Sequence, residues 1–135
     1  MASTLPRSDV LLAVFGGPHR TDLVSTVFRM AHSLLDQGAS VQVWTCGDAT
    51  GLTRASLGDS KPRNVVDWTR DYPTTAAVAR SLIADHPERL HWYVCRFCSD
   101  ERGMGEQIPE VRRRPPFTFW QHTEAAGKSL CLGVC

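Results

Sequence analysis

Two cysteines three positions apart, Cys95 and Cys98, stand in the stretch Leu90-His91-Trp92-Tyr93-Val94-Cys95-Arg96-Phe97-Cys98-Ser99-Asp100-Glu101-Arg102-Gly103. Its first half is aromatic and apolar and reads as a strand; its second half reads as the start of a helix, so Cys95 falls at the junction. A thiol beside the free N–H groups of a helix N-terminus is more acidic and more nucleophilic, because the dipole favours the thiolate. The chemistry this permits is attack on sulfur, with Cys95 as the reacting thiolate and Cys98 as a second thiol that resolves a mixed disulfide or persulfide. The inert alternative is a pair of small buried hydrophobes, since free cysteine is among the most buried residue types.

Three further cysteines complete the set. Cys135 is the last residue, a terminal thiol able to exchange sulfur with Cys95 or with a partner. Cys46 follows an earlier strand and could join the same cleft, though by default it reads as a small buried thiol. Cys95, Cys98, Cys131 and Cys135 form two close pairs of the kind zinc uses. If residues 129–134 are extended, however, Cys131 and Cys135 stand about 13 Å apart at the strand rise, too far to share one tetrahedral ion, so no metal and no other cofactor is expected. His91, at the opposite end of its strand from Cys95, is assigned to packing.

Gly16-Gly17-Pro18-His19-Arg20 lies between a strand and a helix. The Gly17 backbone and the Arg20 side chain are therefore anion-binding candidates, joined near the thiols by Arg96 and Arg102. The spacings of a phosphate-binding P-loop and of a dinucleotide fingerprint are both missing, which argues against nucleotides. Gly-x-Ser-x-Gly and His-Glu-x-x-His are absent too, and the adjacent Asp100 and Glu101 point in different directions on a helix. Hydrolase chemistry has no carrier.

The elements that position these groups are legible. Asp9 to Phe15 is a short continuous apolar run stopped by Gly16-Gly17-Pro18, as in a fully buried central strand. Leu23, Val27, Met30, Ala31, Leu34 and Leu35 then recur at helical spacing up to Gly38. Ala39 to Thr45 is β-branched and alternating, and the strand–helix–strand order implies a right-handed parallel crossover. Residues 46–73 read as a long loop with one short helix. Thr74 or Thr75 opens a helix ending near His86-Pro87, and Leu90 to Val94 is the next strand. Residues 104–116 read as irregular, Phe117 to Ala126 as helical, and Ser129 to Cys135 as a closing strand. The order predicts one domain over 1–135, a three-layer α/β sandwich with a mostly parallel sheet. Such sheets bind at the carboxyl ends of their strands, here Phe15-Gly16-Gly17, Thr45-Cys46-Gly47 and Cys95.

With 21% charged residues and a formal net charge of +1, the chain lacks the basic excess of a nucleic-acid binder. Arg112-Arg113-Arg114 before a proline pair reads as a solvated loop. No signal-peptide layout and no membrane-length apolar stretch occurs, so the expected compartment is the cytosol, where an odd number of cysteines serves chemistry rather than stapling. Among the aromatics, Trp68, Tyr72, Phe117, Phe119 and Trp120 are assigned to core packing ahead of subunit contact.

With strand, helix and cysteine in these places, the chain resembles the DsrE/DsrF-like family, which includes the TusD sulfur-relay subunits. The shared features are the opening strand, the Gly-Pro turn with its amphipathic helix, and a pattern of the type Cys-x-x-Ala-x-x-x-Arg-Gly, met here by Cys95 and Arg102-Gly103. Cys98 departs from it, standing where the family has a small apolar residue, and so do the Arg/Pro-rich loop after Gly103 and the terminal Cys131 and Cys135. The resemblance implies a DsrE-like fold and a cytosolic trimer or hexamer. It implies transfer of persulfide sulfur between donor and acceptor proteins through Cys95, without metal, nucleotide, membrane or direct nucleic-acid contact. The rival expectations are a binding or assembly module with inert cysteines and a Cys95–Cys98 dithiol oxidoreductase.

Overall fold

The computed structural model describes residues 5–17, 21–62, 66, 69 and 71–133, without the side chains of residues 21, 22 and 62. β1 (Ser8–Phe15) is a central strand, and Leu11, Leu12, Ala13 and Val14 are all buried, as a strand covered on both faces requires. β2 (Val41–Cys46) lies on one side of it with Val10 opposite Val41 and Phe15 opposite Cys46. β5 (Leu90–Cys95) follows beyond β2, and β6 (Arg112–Arg114) forms the edge. On the other side of β1 runs β7 (Ala126–Leu132). The strand order is β6-β5-β2-β1-β7, with every pairing parallel. A separate antiparallel hairpin joins β3 (Ser60–Pro62) to β4 (Asp71–Pro73).

Connection handedness distributes the helices. From β1 to β2 to β5 the chain steps in one direction, and right-handed crossovers place α1 (Thr21–Asp36) and α2 (Thr75–Asp85) on the same face. Val27, Ala31 and Leu35 of α1 and Ala76, Ala79 and Leu82 of α2 are buried there against Leu12, Val43, Trp92 and Val94, and Phe28 stacks on Trp92 at 5.7 Å. Thr74 caps α2 by accepting a hydrogen bond from the Ala77 N–H at 3.1 Å. To reach β7 the chain reverses direction, and α4 (Phe119–Glu124) crosses the opposite face, where Leu11, Trp44, Tyr93, Cys95 and Ala125 form a second core. The fold is thus the expected α/β sandwich with helices on both sides of a parallel sheet.

Several expectations are corrected. Arg112-Arg113-Arg114 is not a solvated loop but the edge strand β6, in register with Tyr93, Val94 and Cys95. An edge tolerates charge because half of its side chains and one row of its backbone face solvent. Residues 46–73 contain two 3-10 segments, Gly47–Thr53 and Ala55–Leu57, and the β3–β4 hairpin. The closing strand starts at Ala126, earlier than Ser129, so the predicted helix ends sooner. Phe119 packs on Trp44 with ring centres 5.4 Å apart, but Phe117, Trp120 and Tyr72 are exposed rather than in the core; Trp68 lies outside the described residues.

Candidate functional site

Along β5, Leu90, Trp92 and Val94 face the α1–α2 layer, while Tyr93 and Cys95 face the other. Along β2, Val41 and Val43 face α1–α2, while Trp44 and Cys46 take the opposite side. This is the two-residue alternation of a pleated strand. Trp44 pairs with Tyr93 and Thr45 with Val94, so the next rung sets Cys46 beside Cys95. The chain then turns into α3 (Arg96–Glu101), whose first turn returns Cys98 over the strand ends. The Cys46 and Cys98 sulfurs are 3.5 Å apart, and the Sγ atoms of Cys46, Cys95 and Cys98 all lie within 4.8 Å of one another.

The helix that carries Cys98 is held by its own termination. The Met104 N–H donates to the Ser99 carbonyl at 2.7 Å and the Gly103 N–H to the Asp100 carbonyl at 3.2 Å, the paired bonds of a Schellman cap. Gly103 takes φ of +67° there, which explains the glycine in Arg102-Gly103. Asp100 is tied to Arg113 of β6 at 2.5 Å, so the short helix is also fastened to the sheet edge.

The three thiols are electrostatically unequal. Cys95 is fully buried, and Cys46 and Cys98 are half-buried. Desolvation raises the Cys46 pKa to about 12, helped by the adjacent Cys98 and Cys95. Desolvation also raises Cys95, against the Cys98 N–H, which favours its thiolate. Cys98 goes the other way. Desolvation opposes its ionisation too, but the Gly47 N–H, hydrogen bonds from Cys95 and Cys46, and the Arg102 charge outweigh it and bring the pKa below the ordinary thiol value. Of the three thiols, Cys98 is thus the one whose surroundings favour the thiolate. The expectation of an accessible, ionised Cys95 is corrected: its alternation on β5 points the side chain into the second core.

Of the proposed anion-binding groups, Arg102 reaches the site, with Nη1 donating to the Cys98 carbonyl at 3.3 Å and Nε to Asp48 at 2.6 Å. Arg96 is exposed and lies over the Phe97 ring, 5.9 Å from its centre. Gly17 is half-buried just past β1. Arg20 and Cys135 lie outside the described residues. Cys131 is exposed on β7, three strand spacings from β5 and hence about 14 Å away across the sheet, so the zinc quartet is not assembled. The residue that joins Cys95 and Cys98 is Cys46, for which the sequence favours a buried strand-end thiol over a place in the cleft. His91 keeps to packing, with Nε2 3.2 Å from the Glu88 carbonyl.

A group the sequence reading missed supports the same face. Gln42 of β2 donates Nε2–H to the His122 carbonyl at 2.8 Å, and its Oε1 lies 3.1 Å from His122 Nδ1. Because Oε1 can only accept, Nδ1 carries the proton. The ring is wholly buried, 4.8 Å from Trp44 and 4.5 Å from Tyr93. Desolvation, aided by the Arg114 charge, lowers its pKa to about 4.

An all-parallel five-stranded sheet with helices on both faces defines a three-layer α/β sandwich, and three cysteines cluster at its strand ends. The crystal structure of the YchN protein from E. coli is similar, with a TM-score of 0.72 and 18% identity over 92% of this chain and 98% of that one. No family model and no curated protein sequence matches. Among the described residues no helix is long and apolar enough to cross a membrane.

Proposed function

We propose that this chain is a small sulfur carrier that takes persulfide sulfur onto its cysteine cluster and yields it to an acceptor thiol. The observation that carries the reading is the trio itself: one thiol inclined to ionise, within 4.8 Å of two that are not. The Cys98 thiolate attacks the outer sulfur of a donor persulfide, forming Cys98-S-SH and releasing the donor thiolate. An acceptor thiolate then attacks that outer sulfur and restores Cys98. The exchange is redox-neutral and needs no cofactor. Cys95, the sulfur-accepting position by resemblance, becomes the buried neighbour that steadies the Cys98 charge. Phe97 and Phe117, exposed and in edge contact at 6.1 Å, give a donor or acceptor protein an apolar surface beside the helix of Cys98.

Reduced protein incubated with a low-molecular-weight persulfide should gain one sulfur atom by intact mass. Cys98→Ser should abolish the gain and Cys95→Ser should slow it. Uptake that survives in Cys98→Ser and disappears in Cys95→Ser returns the role to Cys95, and no uptake by the wild type refutes the carrier. A dithiol oxidoreductase is the second reading, favoured by the 3.5 Å Cys46–Cys98 approach; its disulfide would link those two residues rather than Cys95 and Cys98.

A further inference from the structure

The same three sulfurs have a geometry that sulfur transfer does not require. A thiophilic ion takes thiolate sulfur at about 2.3 Å, which sets three sulfurs sharing one ion in a plane about 4.0 Å apart. Here one pair is at 3.5 Å and all three lie within 4.8 Å, so side-chain adjustments that change these separations by less than about 1 Å close the triangle around a single ion. The donors come from three separately anchored places: the end of β2, the end of β5 and the first turn of α3. The parallel register and the Schellman cap hold them together without the ion.

We propose that Cys46, Cys95 and Cys98 form a trithiolate site for one Cu(I) ion. Three features select Cu(I) over other cations. The donor set is sulfur alone, and thiolates favour soft ions. The donors number three, with no histidine or carboxylate joining them among the described residues. Three thiolates complete a trigonal Cu(I) site, whereas structural zinc almost always takes four protein ligands and zinc held here would need water or another donor in the fourth position. Cys95 at the floor is sealed from water and Cys46 and Cys98 are half-buried above it, which shields an oxidisable ion. Without a cation three thiolates this close would repel one another; the bound ion removes that repulsion, and the S–H protons it displaces leave to solvent. Arg102, with Nη1 3.3 Å from the Cys98 carbonyl, offsets part of the remaining negative charge. The inference stands independently of persulfide transfer, because it uses all three sulfurs as ligands and none as a nucleophile.

The test is anaerobic titration of the reduced, full-length protein with Cu(I) bicinchoninate. The protein should withdraw one equivalent of Cu(I), and X-ray absorption of that species should show three sulfur ligands. Cys46→Ser, Cys95→Ser and Cys98→Ser should each weaken Cu(I) retention at least tenfold, with Cys131→Ser unchanged. Failure to withdraw Cu(I), a two-sulfur site, an equal loss in Cys131→Ser, or preferential retention of Zn(II) when both ions are offered would overturn the proposal. The sulfur count on the wild type decides the matter even if a cysteine variant folds poorly. Persulfide uptake measured separately on copper-free protein keeps the two readings distinguishable.

Discussion

If the thiols differ as their surroundings require, a disulfide reagent at trace concentration should discriminate sharply among residues only 4.8 Å apart. For Cys46, a rise from 9.0 to about 12 removes about a thousandfold of its thiolate near neutral pH. A more basic thiolate is intrinsically more reactive, and a Brønsted coefficient of about 0.4–0.5 recovers about 15- to 30-fold of that loss. Cys46 should therefore react about 30- to 60-fold more slowly than an unperturbed thiol, while Cys98, lowered by the Gly47 N–H, its thiol neighbours and Arg102 against its own desolvation, should react faster than one. Cys95, wholly buried, should be slowest of all.

The assay is acid-quenched labelling at substoichiometric reagent, with peptides quantified by mass spectrometry against the same chain in denaturant. Initial rates are needed, because Cys46 at 3.5 Å will displace a reagent group from Cys98 at longer times. Arg102→Gln supplies the second arm: loss of the cationic charge should slow Cys98 labelling near pH 7, and at a pH where the thiol is fully ionised the slowing should disappear or reverse slightly, because the more basic thiolate is the better nucleophile. Labelling of Cys46 or Cys95 ahead of Cys98, or a common rate equal to the denatured one, would refute the electrostatic argument.

Two further outcomes follow from the supporting structure. His122 titrates at about 4 when folded against 6.5 when free, so the unfolded chain binds the extra proton between those values; stability present above pH 6.5 should fall as pH drops toward 4, by about 3 kcal/mol in all. Urea unfolding across that window should show this slope, flattened in His122→Gln, and identical slopes in both proteins would contradict it. Gly103→Ala meets no atom within 4 Å but must hold φ of +67°, so it should cost about 1–2 kcal/mol through backbone strain alone, read as a lower urea midpoint; an unchanged midpoint would count against the Schellman cap.

The parts of the molecule that announce themselves in the sequence are those whose stability is local or whose burial is two-sided. β1 is a continuous apolar run because neither face meets water, α1 repeats at helical spacing because one stripe is buried, and Thr74 precedes α2 as a cap. The edges are hidden. β6 is three arginines, held by Tyr93, Val94 and Cys95 of its neighbour rather than by apolar alternation of its own. β7 opens with Ala126-Gly127-Lys128, mostly exposed, and gains its order from β1. The Gln42–His122 pair, 80 residues apart, leaves no local pattern at all.

Cys46 shows where a legible site stopped being legible. Its separation from Cys98, 52 residues, conceals the contact, but the signal was present in a different form. Two parallel neighbouring strands each end in cysteine, and the alternation of β2 and β5 puts both sulfurs on one face. A thiol added one helical turn after the second strand then meets both. Because Cys46 and Cys95 stay protonated by burial, each can donate an S–H hydrogen bond to Cys98, so a single negative charge is shared by three sulfurs. The cysteine at position 98, where the resembling family carries a small apolar residue, thus does more than add a thiol. It sets the most readily ionised of the three sulfurs on the half-buried first turn of α3, away from the sealed strand end, as the proposed persulfide exchange requires.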